Sequence, residues 1–286
     1  MKKFVIYSTV IVFTILSSHF SFAQITIPST SPLASFSQKV GLSDVTIVYS
    51  RPSAKGRKIM GDIVPYGEIW RTGANASTKF KISEELTIEG KKLAPGEYAL
   101  YTQPGQDEWT VIFNKNTQLS GSDGYSEKED AIRFKVKTHK YPVHVETFTI
   151  NISDVTLKGA NVEILWENTM VKFNMESDVD TKVMSQINQF TANPEASLAN
   201  SYFTSASYLY ETDKDLNKAL EYVNKTLEYN QAFWILHLKA KIQGKMKDYK
   251  NAISTAEASI AKAKEANNKD YIKLNEKAIA EWKNKK

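Results

Sequence analysis

Three observations predict a two-domain protein, an all-β antiparallel sandwich or jelly roll followed by an all-α repeat domain. Apolar residues alternate with a period of two from Ile25 to about Met175. Turns bearing Gly and Pro cut that region into short pieces. Beyond Glu176 the period becomes helical, and Gly244 is the one glycine left.

The chain opens Met-Lys-Lys, runs through the mostly apolar stretch Phe4 to Leu16, and reaches small and polar residues ending at Ala23. A basic start, a short apolar core and a small-residue site form the pattern of a secretory signal peptide. The apolar stretch is shorter than the roughly 20 residues that a membrane span needs. The expected division is a leader over 1–23 cleaved after Ala23, a β domain over 24–175 and a helical repeat domain over 176–286. The mature chain would be periplasmic or secreted, without a transmembrane segment.

Within the β region, strands are predicted at Val45–Tyr49, Phe80–Ile82, Leu86–Ile88, Tyr98–Tyr101, Trp109–Phe113, Ile132–Val136, Val143–Ile152, Val162–Trp166 and Val171–Phe173. Glu89-Gly90 suits a tight hairpin. Pro95-Gly96 and Pro104-Gly105 each place Pro and Gly as a type II turn requires. Many short strands joined by such turns argue for a sandwich or jelly roll. In the helical region the first helix is expected from Asp178 to Phe190. Asn193-Pro194 starts a second by placing Pro at its first position. The six helices would run about 178–190, 195–211, 214–229, 232–245, 248–266 and 268–284. Ser207, Leu216, Ala219 and Thr226 recur as Ala240, Tyr249, Ala252 and Ser259, each 33 residues on. This spacing resembles the tetratricopeptide repeat, with 268–284 as a capping helix. It departs from that pattern where glycine is usual, since Lys214 and Lys247 stand there. The resemblance implies a concave surface for a protein partner, and a plain helical bundle is the competing reading.

Composition narrows the function. There is no cysteine, hence no disulfide framework. Once the leader takes Lys2 and Lys3 away, 35 basic residues face 32 acidic ones, a net of +3 that speaks against a nucleic-acid binder. His139 and His144 lie on opposite faces of a strand-like segment and His237 stands alone among helical residues, so no metal site is expected. No G-x-S-x-G elbow is present, and Gly121-Ser-Asp-Gly124 reads as a loop. No catalytic residue and no cofactor are expected.

What remains is the stretch from Tyr49 to Thr78. It holds Arg51, Arg57 and Arg71, with Trp70, Asn75 and four glycines. Turns should break it into a surface loop. Guanidinium groups suit carboxylate, phosphate or sulfate, Trp70 offers a ring for a sugar or aromatic group, and Asn75 a two-sided amide. Arg51, Arg57, Trp70, Arg71 and Asn75 are therefore the candidate ligand-binding residues. The plainer alternative is that Arg71 pairs with Glu68 or another acidic residue to pin the loop, and Trp70 packs in the core.

The run YSRPSAKGRKIMGDIVPYGEIWRTGANAST, followed by LAPGEYALYTQPGQDEWTVIFNK, VETFTI and ILWENTMVKF, resembles the bacterial family named domain of unknown function 2911, over about Val45 to Phe173. Met60 departs from it, since an aromatic residue is more usual there. The resemblance implies an exported envelope protein, often with a helical tail, and carries no activity or catalytic residue with it. The expected function is a periplasmic binding protein: the β domain would hold an anionic small molecule or glycan, and the helical repeats would dock a protein. One alternative is a hydrolase of envelope glycans joining the arginines to Glu97 or Glu68. Another is a β scaffold with binding through the helices only.

Overall fold

The computed structural model describes residues 27–192 and 199–285. The predicted leader with its cleavage site at Ala23, and the helix start at Pro194, lie outside the described residues. The chain divides into two compact units between Ser177 and Asp178, the first all β and the second all α.

Among the described residues of the first unit there are nine strands: β1 Leu33–Val40, β2 Ser43–Ser50, β3 Ala74–Ile82, β4 Leu86–Ile88, β5 Lys91–Leu93, β6 Gly96–Gln103, β7 Glu108–Asn114, β8 Asp130–Ser153 and β9 Gly159–Ser177. They form one antiparallel array in the order β1-β2-β3-β6-β7-β8-β9-β4-β5. β8 serves two layers. Its first arm pairs with β7 as far as Lys137, and from Thr138 onward it pairs with β9. The inward side chains of both layers meet in one core that includes Ile47, Phe80, Trp109 and Phe113 from one side and Phe148, Ile164, Trp166 and Phe173 from the other. That is the expected sandwich, built with fewer and longer strands on one side. The segments 132–136 and 143–152 are one strand, and so are 162–166 and 171–173, while β1 and β5 were not foreseen. Both are edge strands in which polar residues, Ser35, Ser37 and Lys39 in β1 and Lys91 and Lys92 in β5, dilute the alternation an edge does not need.

Period-two burial explains the inner strands. Val45, Ile47 and Tyr49 of β2 are buried in turn. β6 is buried on both faces, with Tyr98 and Leu100 inside the main core while Ala99 and Tyr101 lie under the loop 115–126. Hence its apolar run is continuous. The Glu89-Gly90 hairpin forms with both residues at positive φ, as a tight two-residue turn requires. Pro104-Gly105 is not a type II turn, because Gly105 does not have the positive φ that turn needs.

Among the described residues the second unit contains six helices: α1 Val179–Ala192, α2 Ala199–Glu211, α3 Leu216–Tyr229, α4 Phe233–Lys245, α5 Tyr249–Glu265 and α6 Lys269–Lys283. α2 packs on α3, α4 on α5, and α6 on α5 and α4. The 33-residue spacing has structural equivalents. Ala219 and Ala252 are fully buried at helix crossings, as are Thr226 and Ser259. Asp215 and Asp248 cap α3 and α5 by accepting from backbone N–H groups one turn in. At the ends of α2 and α4 the left-handed position usual for glycine is held by Asp213 and Lys247.

Candidate functional site

The loop from Arg51 to Gly73 spans from one layer to the other. At its start it runs beside β8: Phe148 N–H donates to Pro52 O at 2.9 Å and Ala54 N–H to Glu146 O at 2.8 Å. Lys55 and Gly56, both at positive φ, then turn the chain tightly, closed by Arg57 N–H donating to Ala54 O. Ile59, Met60 and Val64 dip into the core, so the segment is less superficial than its turn residues suggest. At its far end it reaches β6, where Trp70 and Thr102 exchange backbone hydrogen bonds of 2.7 and 2.9 Å.

Between these two anchorages lies a cavity of about 470 Å³. Its lining includes Lys55, Arg57, Glu68, Trp70, Arg71, Ser31, Ser122, Ile63 and Trp166. Arg57, Trp70 and Arg71 of the predicted set thus come together, whereas Arg51 and Asn75 are not in the lining.

Each side chain is placed by a local cause. Arg51 is a pin between layers: Nε donates to Phe148 O at 3.0 Å and Nη2 to Thr149 Oγ1 at 2.8 Å. Asn75, at φ 58°, spends its amide on Ser50 Oγ and Ser31 O. Arg57 donates to the carbonyls of Ala54 and Ser53, which orient its guanidinium without neutralising it. Trp70 is half-buried. It stacks on Trp166 at 5.9 Å, meets Phe148 and Trp109 edge-on, and gives its N–H to Gly73 O. Trp166 spends its own N–H on Glu146 O. Trp166 is buried in the core, so it is the half-buried Trp70 that offers the cavity apolar surface rather than a donor.

Arg71 is different. Its Nε is buried with no hydrogen-bond partner, and among the described residues no carboxylate pairs with it. The expected partner, Glu68, shares the cavity without bonding to it. A buried, unmatched donor on a cation is costly and calls for an explanation. The backbone after Arg71 is also unusual: Thr72, Gly73 and Asn75 all have positive φ. For a β-branched residue such as Thr72 this is a strained conformation, costing on the order of 1–3 kcal/mol. It is held by Thr78 Oγ1 donating to Thr72 O at 2.6 Å and by Thr102 Oγ1 at 3.1 Å from Thr72 Oγ1.

The loop 115–126 closes the Arg71 side. Tyr101 OH donates to Gly121 O at 3.0 Å, and Ser77 N–H to Leu119 O. Burial raises the Tyr101 phenol above its ordinary value, opposed by its hydrogen bond with Ser77 and by the Arg71 charge. Lys79, lowered by burial, donates to Ser77 Oγ and to Thr117 O. Outside the lining, the Lys55 backbone N–H holds the exposed Glu146 carboxylate below its usual range, and His144 and Arg57 add to that. Glu97 stands on β6 outside the cavity lining. Sequence reasoning missed Trp166 and Ser122, which reach the cavity from β9 and from the loop after β7; nothing in their local pattern sets them apart from core and loop. Among the described residues no group of His, Asp and Glu could hold a metal ion, and no helix is long and apolar enough to cross a membrane.

The sequence model of the family described as Protein of unknown function (DUF2911) matches residues 31–175. No curated protein matches the chain, and no solved structure does.

Proposed function

The chain belongs to the DUF2911 family, and from its cavity we propose that it is an exported, periplasmic binding protein whose β unit holds a small anionic molecule or glycan. The observation that carries this is Arg71: a guanidinium on a strained loop, lining a cavity, with no carboxylate paired to it among the described residues. Arg71 is half-buried and lines the cavity, where its guanidinium charge suits an anionic ligand. Arg57 and Lys55 add positive charge to the same space, and strain concentrated beside a site is a recurrent mark of ligand clamps. Export rests on the leader-like start of the sequence.

A hydrolase of the glycosidase type needs two carboxylates facing each other across the cleft. Glu68 is the one carboxylate in the described lining, so binding is the better-supported reading. The test is calorimetric titration of the protein with phosphate, citrate and acidic sugars. The expected result is binding by at least one of them, weakened about 10- to 100-fold in Arg71→Ala, the worth of a charged hydrogen bond, with the melting temperature nearly unchanged. A large loss of stability in that variant would make Arg71 a structural pin instead.

A second reading is favoured by the helical unit. Tyr210, His237, Lys241, Lys245, Lys277, Trp282 and Lys285 line a groove of about 380 Å³ in which Glu281 is the single described acidic residue. The ammonium groups of Lys241 and Lys245 stand 4.9 and 4.8 Å from the centre of the Tyr210 ring. This lining suits an acidic segment of a protein partner. A Lys241→Glu, Lys277→Glu double variant should lose binding of an acidic peptide and keep any ligand of the β unit.

A further inference from the structure

The remaining lining of the β-unit cavity narrows the ligand beyond "anion". Three cations, Lys55, Arg57 and Arg71, face one carboxylate, Glu68. Among the described residues none of the four is in an ion pair with another. A bare inorganic anion would satisfy the Arg71 charge but would be repelled by Glu68, and it would leave the apolar surface of Trp70 uncovered. A neutral sugar would use Glu68 as an acceptor and the Trp70 ring as an apolar floor, yet it would leave the Arg71 charge without a counter-charge.

We propose that the cavity binds a uronic acid, a sugar that carries a carboxylate, alone or as the end of a short acidic oligosaccharide. This rests on the anion-binding reading of the same site and names its ligand class. The carboxylate accepts from Arg71, whose planar fork matches it. The ring hydroxyls donate to Glu68 and exchange hydrogen bonds with Ser31 and Ser122, whose hydroxyls have no partner among the described residues. The carbon-bound hydrogens of the ring lie on the apolar surface of Trp70. The volume, about 470 Å³, lies within the range of roughly 300–1,000 Å³ usual for small-molecule sites, and it has room for a mono- or disaccharide.

The test is titration of the full chain with glucuronate and digalacturonate, with glucose as the hydroxyls without charge, and with citrate, phosphate and sulfate as charge without the sugar. The expected result is binding of the uronates, with glucose at least tenfold weaker, and loss of uronate binding in Arg71→Ala. Glu68→Gln separates the ligand classes. It should weaken uronates about tenfold, as a charged hydrogen bond to a hydroxyl is lost, while strengthening sulfate by removing a repulsive charge. If citrate, phosphate or sulfate binds as tightly as the uronates, and Glu68→Gln strengthens all of them, the anion site stands and the uronic acid assignment falls. If glucose binds as well as glucuronate, or if no member of the panel binds, the assignment and the anion reading fall together.

Discussion

Gly73 and Gly56 both have positive φ, but their surroundings differ. A Cβ on Gly73 would stand 3.0 Å from Ser50 O and 3.3 Å from Thr78 Oγ1, whereas one on Gly56 would meet nothing within 4 Å. Gly56→Ala should therefore cost about 1 kcal/mol of backbone strain, and Gly73→Ala about 2–4 kcal/mol, since crowding adds to strain. Chemical denaturation of the two variants checks the difference. A second residue-level prediction concerns Asp130, whose carboxylate is almost fully buried and accepts from Asn114 Nδ2 at 2.8 Å and from Tyr125 OH. That same loop carries Ser122 to the cavity. Tyr125→Phe should cost about 1–2 kcal/mol by leaving the carboxylate short of a donor, and it should weaken ligand binding with it. At this scale the candidate site was half legible. Arginine type and loop position pointed to Arg57 and Arg71. Nothing in the sequence could say that Arg51 and Asn75 spend their donors on neighbouring backbone and hydroxyl groups, since those acceptors come from distant strands and from the segment before β1.

Helices were more legible than strands because their signal is local. The helical period placed the ends of α3 to α6 within a few residues. Asp215→Ala and Asp248→Ala should each cost about 1 kcal/mol of helix capping, measured as a shift of the denaturation midpoint. Gly244 was legible only as the lone glycine of its region. Its purpose is the approach of α6: a Cβ there would lie 2.5–2.6 Å from the Trp282 indole, so Gly244→Ala should cost about 1–3 kcal/mol and loosen α6. Between α4 and α6, His237 Nδ1 meets Asn275 Oδ1 at 2.8 Å, and Asn275 in turn donates to Ser259 Oγ and Tyr271 O. Those two donations leave Asn275 Oδ1 as the acceptor, so the Nδ1 proton belongs to His237. Burial lowers the imidazole below its ordinary value, against the raising effect of the Asn275 bond and with the help of Lys241. The unfolded chain thus takes up a proton that the folded one resists. The contribution is complete above the ordinary histidine value near 6.5 and is lost as pH falls below it. Denaturation midpoints at pH 7.5 and 5.5 should show the helical unit weakening in acid, and His237→Gln should flatten that slope. In the β unit, alternation revealed inner strands but not their joining, because the pairing of 132–136 with 143–152 into one strand is decided by two different neighbours.

The fold class as a whole was legible from the change of period near Glu176, a property of long stretches that no single residue obscures. Each unit has its own core, one centred on Phe80, Phe113 and Phe173, the others on Tyr222, Leu238 and Ala252. Separate cores predict two unfolding transitions in calorimetry, of which Gly73→Ala should lower one and Gly244→Ala the other. The shared strand β8 has a consequence for tolerance to insertions. One residue added between Arg133 and Val136 would turn every later inward side chain of that arm outward, because the period of a strand is two. From Lys140 to Val145, however, β8 already carries more residues than β9 opposite it, and Pro142, Val143 and His144 are exposed. An epitope tag or fluorescent label placed there would lengthen an existing bulge and leave both layers in register, which makes this the natural handle for following the protein.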